Sequence, residues 1–160
     1  KPKQIEVLIH RQSIIHSMVE YTDNNVIAQM SEPDMRGAIG YAFNYPDRKI
    51  NNSKKLDLTT VGNLTFAKPN YNKFPALKLA EEVMKRGGLF GAVLNAAKEI
   101  ALNRFIDGEI GFLQMADLVK NTIDHSKITF ANKKNIYSLD DVISIDRLAR
   151  ELASNAEIKI

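Results

Sequence analysis

Apolar and polar positions change period partway along the chain. Ile5-Glu6-Val7-Leu8-Ile9 is a short, mostly apolar run and reads as a strand. His16 to Tyr21 mixes polar residues with β-formers, Thr22-Asp23-Asn24-Asn25 is polar, and Val26 to Met30 resumes the apolar run. Asp and Asn tolerate the left-handed backbone of tight turns, so 16–30 is predicted to be a β-hairpin. Ser31-Glu32-Pro33-Asp34 stops the second strand, and Met35 to Asn44 is predicted to form a short helix ended by Tyr45-Pro46. Two or three strands cannot bury both faces alone, so this pattern requires more sheet, from upstream or from another copy.

Residues 46–74 read as a connection. Pro46 and Pro69 lie in it, Pro75 follows at once, and Asn51, Asn52, Asn70 and Asn72 are spread along it. Leu56, Leu58, Val61, Leu64 and Phe66 supply enough apolar content for it to lie against a core. From Pro75 the period becomes helical. Pro75 suits a first helical position, Leu77, Leu79, Ala80, Val83 and Met84 follow, and Gly87-Gly88 closes the segment. Phe90, Val93, Leu94, Ala97, Ile100, Ala101 and Phe105 recur at three- and four-residue spacing until Asp107-Gly108. Met115, Leu118, Val119 and Ile123 mark a third helix. Ser138 with Asp141 is a capping-box signal for a fourth, whose apolar face is Val142, Ile145, Leu148 and Leu152. Four helices on short links predict a small bundle.

Composition narrows the setting. Hydrophobic residues make up 44% and charged residues 26% of 160, the balance of a globular domain. Every long apolar stretch is interrupted too soon to span a bilayer. The chain has no cysteine, which excludes disulfides and thiolate metal sites. No basic-then-apolar leader opens it, and a cytoplasmic protein is expected. The start Lys1-Pro2-Lys3, without Met and directly before an apolar run, raises the expectation that the segment belongs to something longer. The net charge of +3 sits entirely in 51–74, where Lys54, Lys55, Lys68 and Lys73 face only Asp57. Scattered lysines are not the dense basic stripe with stacking aromatics that nucleic acid requires, and no nucleic-acid partner is expected.

Candidate chemistry is sparse. His10 and His16 flank Arg11-Gln12-Ser13, and a metal site would recruit Glu32 or Asp34 once the hairpin folds back. That spacing matches no established ligand pattern, and the alternative is a hydrogen-bonded histidine at a strand end. His125 falls at the end of the third helix, where a cation suits the dipole. Ser13 has His16 nearby as a base but no nucleophile-elbow glycines. A hydroxyl at such a junction more often binds phosphate or caps a backbone group. Gly87-Gly88-Leu89-Phe90-Gly91 has neither the Walker lysine nor the dinucleotide spacing. Glu81-Glu82 and Asp140-Asp141 are adjacent, so each pair diverges around a helix and suits a solvated face.

One constellation is more specific. Val7-Leu8-Ile9-His10-Arg11-Gln12-Ser13-Ile14-Ile15-His16-Ser17-Met18-Val19-Glu20-Tyr21, followed by Ile27-Ala28-Gln29-Met30-Ser31-Glu32-Pro33-Asp34-Met35-Arg36, closely resembles the 1-deoxy-D-xylulose-5-phosphate reductoisomerase family. Collinear matches continue through Leu56-Asp57-Leu58, Leu64-Thr65-Phe66, Phe74 to Ala80, Val93-Leu94-Asn95-Ala96-Ala97 with Glu99, and Asp141 to Asp146.

The resemblance implies an enzyme that uses NADPH and Mg²⁺ or Mn²⁺. Such an enzyme rearranges and reduces 1-deoxy-D-xylulose 5-phosphate to 2-C-methyl-D-erythritol 4-phosphate, in non-mevalonate isoprenoid synthesis. It also implies a homodimer joined through the central-domain sheet. Residue by residue, Ser13 and His16 match positions lining the substrate pocket. Pro33 and Met35 match the loop beside substrate and nicotinamide, where they would exclude water and shape the pocket. Met35 is equally well read as an ordinary loop residue packed on the sheet. Arg11 stands where proline is common, Gly37-Ala38 replaces Thr-Pro, and Lys98 replaces asparagine.

The expected fold class is α+β: a hairpin remnant of an α/β catalytic domain (1–45), a linker (46–74) and a C-terminal four-helix bundle (75–160). The resemblance places the dinucleotide loop, the metal carboxylates and most phosphate ligands before Lys1. No cofactor or metal is therefore expected on this segment, and no activity of its own. The alternative is a non-catalytic interaction or dimerisation module of similar shape.

Overall fold

The structure, a computed structural model, describes residues 2–125, 127–128 and 137–158. It resolves into two compact units. One is Glu6–Pro69; the other comprises the chain from Asn70 onward with the N-terminal 3-10 turn Pro2–Gln4.

In the first unit, β1 (Ile15–Glu20) and β2 (Val26–Met30) pair antiparallel. The turn forms as its composition predicts. Tyr21 N–H donates to Asn25 C=O at 2.9 Å, Asn24 takes φ 65°, and the Asp23 carboxylate accepts the Asn25 side-chain amide at 2.7 Å. Helix α1 (Met35–Asn44) starts where Pro33-Asp34 allows, because the Asp34 carboxylate accepts the Arg36 amide at 2.9 Å. A short helix unforeseen from the pattern, α2 (Leu58–Val61), is capped by Asp57, which accepts the Thr59 amide at 2.9 Å and its hydroxyl at 2.6 Å.

The apolar run Ile5–Ile9 corrects the expectation of a strand. Among the described residues only Ile9 pairs there, exchanging two 2.9 Å backbone bonds with Ala67. Strand propensity cannot by itself supply a neighbour for the backbone N–H and C=O groups. Burial in this unit is slight. Ile14 is the one buried apolar side chain among its described residues, while Val19, Ile27, Ile39 and Phe43 are exposed, Phe43 to 87%.

The second unit has a continuous core. Helices α3 (Pro75–Arg86), α4 (Phe90–Ile106), α5 (Phe112–Ile123) and α6 (Leu139–Ser154) pack around α4. Val93, Leu118, Ile128 and Ile145 are its largest fully enclosed side chains. Ala96, Ala97 and Ala101 on α4, with Ala149 and Ala153 on α6, are buried too, and small residues permit close helix approach. The boundaries follow local chemistry. Pro75 opens α3, Gly87 ends it at φ 66°, and Gly108 follows α4 at φ 76°. Ser138 and Asp141 close a reciprocal capping box on α6: the Ser138 amide donates to the Asp141 carboxylate at 2.9 Å, and the Asp141 amide donates to the Ser138 hydroxyl at 3.2 Å. His125 lies just past the Asp124 cap of α5, its Nδ1 accepting the Lys127 amide at 3.2 Å.

Candidate functional site at the open end of the hairpin

The turn His10–Ser13 is built by side chains reaching across the unit. Ser13 N–H donates to His10 C=O at 3.2 Å, closing the turn and leaving Ser13 at φ 53°. That left-handed conformation is uncommon for a residue with a Cβ and needs support from its surroundings. Support comes from both sides. His10 Nδ1 lies 2.9 Å from Thr65 C=O, and its ring stacks on Phe66 with centroids 4.8 Å apart. Gln12 donates to Asn63 C=O at 3.2 Å and accepts the Thr65 hydroxyl at 3.0 Å. The second half of the segment read as a connection thus folds back to hold this turn.

Because a carbonyl can only accept, Nδ1 of His10 carries a proton. Nε2 is buried without a partner among the described residues. His10 is hydrogen-bonded as expected, but it follows the isolated Ile9–Ala67 bridge and does not stand at the end of a strand.

His16 sits where the hairpin register slips. Ile15 faces Met30 and Ser17 faces Gln29, so His16 is the extra residue of a β-bulge. Bulges twist a strand locally and re-aim the side chain they carry. His16 Nε2 lies 3.0 Å from Ser31 Oγ, and Ser31 N–H donates to Ile14 C=O at 3.0 Å. Ser13, His16 and Ser31 therefore share the hairpin's open end. Pro33 follows on the strap leading into α1 and Met35 is the first residue of that helix; both are exposed, Met35 to 70%, which corrects the reading of Met35 as a loop residue packed on the sheet. The strap is closed by Asp34 N–H on Glu32 C=O at 2.8 Å and by the ion pair of Lys54 with Glu32 at 3.8 Å. Hydrogen bonds from the Arg36 side chain hold the Asp34 carboxyl below the usual carboxylate range.

Ser13 and His16 share no hydrogen bond among the described residues, so no nucleophile–base pair forms. Among those residues no group of three or more His, Asp or Glu assembles for a metal ion. His16 and Glu32 are engaged with Ser31 and Lys54, His10 is engaged through Nδ1 alone, and no metal step is assigned to them. Met35 presents an exposed apolar side chain at the start of α1. Ser31 was not singled out by sequence; only the three-dimensional bond to His16 reveals it.

The resemblance strings of the second unit have a structural explanation. Asn95 donates to Glu99 at 2.9 Å, Arg150 donates to Glu99 at 2.7 Å and to Asp146 at 2.8 Å, and this seam joins α4 to α6. Hydrogen bonds from Arg150 and then Asn95 keep the Glu99 carboxyl low. On the α3–α5 side, Arg86 bonds Glu82 and reaches Asp124 at 2.7 Å, while Lys120 reaches Asp124 at 2.9 Å. These pairs are structural. Among the described residues no helix is long and apolar enough to cross a membrane.

Fold and site define a chain whose candidate ligand-facing groups lie on a hairpin and its strap, and whose helices carry packing and ion-pair seams. Residues 30–152 match the family described as the DXP reductoisomerase C-terminal domain, and the chain belongs to that family. It is 48% identical over 153 residues to 1-deoxy-D-xylulose 5-phosphate reductoisomerase of Rhizobium rhizogenes, covering 96% of this chain. It is 46% identical over 155 residues to the enzyme of Jannaschia sp.. Among solved structures it resembles the reductoisomerase of Zymomonas mobilis in complex with NADPH (45% identity, TM-score 0.81, 93% of this chain and 38% of that one). It also resembles a DOX-P reductoisomerase in complex with NADPH, fosmidomycin and magnesium (34% identity, TM-score 0.85, 92% of this chain and 37% of that one). The chain spans 38% of the length of the Rhizobium rhizogenes relative.

Proposed function

We propose that this chain is the C-terminal portion of an NADPH- and Mg²⁺- or Mn²⁺-dependent reductoisomerase that converts 1-deoxy-D-xylulose 5-phosphate to 2-C-methyl-D-erythritol 4-phosphate. The single observation that carries the proposal is the family match over 30–152. In this reading residues 1–45 end the catalytic domain, 46–74 link it onward, and 75–160 form a four-helix bundle. The enzyme is a cytoplasmic homodimer. NADPH and the metal ion supply hydride and Lewis-acid chemistry when bound; the metal ligands and the dinucleotide loop lie outside this chain.

The chain's own share is a wall of the substrate pocket. Ser13 offers an exposed hydroxyl on a rigidly braced turn, suited to a phosphate or sugar oxygen. His16 offers an imidazole beside it as a hydrogen-bond partner. Pro33 and Met35 are neither acid nor base; they exclude water and shape the pocket next to substrate, and Met35 also meets the nicotinamide. The wide exposed apolar surface of the hairpin and α1 fits a unit that packs against more of a catalytic domain and a second subunit.

The test is a graft of residues 1–160 into the Rhizobium rhizogenes enzyme in place of the matching 38%. The grafted enzyme should oxidise NADPH on addition of 1-deoxy-D-xylulose 5-phosphate and Mg²⁺, and residues 1–160 alone should not. A graft that folds, by circular dichroism and NADPH binding, yet gives no turnover would defeat the reading.

A further inference from the structure

We propose that Ser31 is the positioning residue for His16, holding Nε2 of the imidazole so that Nδ1 is the nitrogen presented to the substrate. This rests on the reading of His16 as a pocket residue. A bulged residue has lost its place in the ladder, so its side chain needs another anchor to keep one orientation. The anchor is the Ser31 hydroxyl, 3.0 Å from Nε2. Ser31 is itself fixed by its 3.0 Å backbone bond to Ile14, the residue between Ser13 and the start of β1. It also immediately precedes the Glu32-Pro33-Asp34-Met35 strap, so one hydroxyl ties the histidine to both halves of the candidate site.

The chemistry of the pair gives the bond its use. A hydroxyl is both donor and acceptor, so it serves neutral and protonated imidazole alike. When the ring is neutral, Ser31 either donates its O–H to Nε2, leaving the ring proton on Nδ1, or accepts Nε2–H, leaving Nδ1 as an acceptor. When the ring is protonated, Nε2–H donates to Ser31 Oγ and Nδ1 keeps its proton. In every state Nε2 is taken by Ser31 and Nδ1 is left for a ligand, and Nδ1 donates to a phosphate or sugar oxygen whenever it carries a proton. An alanine at this position removes the anchor and frees the ring.

The grafted full-length enzyme tests this through His16→Ala, Ser31→Ala, Ser31→Thr and the His16→Ala/Ser31→Ala double variant. Ser31→Ala should raise KM for 1-deoxy-D-xylulose 5-phosphate about 3- to 10-fold, the range of one hydrogen bond, with kcat moving less. Ser31→Thr should recover most of that loss. The Ser31→Ala effect should vanish in the His16→Ala background, which a merely structural serine would not show. In parallel, the ¹⁵N shift of His16 Nε2 should lose the signature of its hydrogen bond in Ser31→Ala. If His16→Ala leaves KM and kcat unchanged, the pocket reading fails and takes this proposal with it. If His16→Ala is costly while Ser31→Ala is silent or fully additive, the Ser31 proposal alone is overturned.

Discussion

Arg104 offers the sharpest test of what holds the helical unit together. It lies in the last turn of α4, with a side chain only 17% exposed. One terminal guanidinium nitrogen donates to Ala153 C=O and Ala156 C=O, each at 3.0 Å, and Nε reaches Glu109 at 2.8 Å. Ala153 is among the last four residues of α6, whose carbonyls have no partner within the helix, so Arg104 finishes the C-terminus of a neighbouring helix. The cation also sits at the negative end of both helix dipoles. Two charge-assisted bonds at about 1.5–3 kcal/mol each, less about 1–2 kcal/mol of side-chain entropy regained on release, leave a net of about 2–4 kcal/mol. The pair with the half-exposed Glu109 adds little.

Arg104→Met keeps the stem and deletes the fork. In urea titration followed by far-ultraviolet circular dichroism, it should lower the helical midpoint by about 1–2 M at ordinary m-values. Arg104→Lys keeps the charge without the planar fork and should lose about half as much. Arg147→Met, on the exposed side of α6, should stay within about 0.5 kcal/mol. An Arg104→Met shift no larger than that of Arg147→Met would refute the reasoning.

Two further outcomes follow from caps and charges. Gly87 adopts φ 66° and ψ −152°, a region nearly reserved for glycine, and a Cβ there meets nothing within 4 Å. Gly87→Ala should therefore cost about 1–3 kcal/mol in urea titration through backbone strain alone; a neutral result would show that α3 can end another way. The carboxyls of Asp124, held low by Lys120 and then Arg86, and of Glu99, held low by Arg150 and then Asn95, have folded pKa values below their unfolded ones. Their contribution is present above the ordinary carboxylate range and is lost as pH falls through the depressed values. The thermal midpoint should accordingly drop from about pH 4 downward. Asp124→Asn should flatten that drop, and an acid slope unchanged by this substitution would contradict the assignment.

Elements set by local chemistry were legible along the chain. Pro75 and the Gly87-Gly88 pair bound α3, Asp107-Gly108 ended α4, and Ser138 with Asp141 opened α6, because caps and breakers act on their own few residues. The Asp-Asn-Asn turn and the α1 start at Asp34 followed for the same reason. Ser13, His16, Pro33 and Met35 could be picked out as a set from the resemblance, with no statement of how they are held.

What tertiary structure alone decided were the contacts between residues far apart in sequence. Ile5–Ile9 has the composition of a strand, yet pairing requires a neighbour, and among the described residues only Ala67 arrives, to meet Ile9. Thr65 and Phe66, within the stretch read as a connection, became the brace of the His10–Ser13 turn. The bulge that turns His16 toward Ser31, and the reach of Arg104 to the end of α6, depend on register and helix packing. Periodicity determines which face of an element is apolar. Which hydroxyl or carbonyl waits across from a given side chain is decided only when the elements are packed.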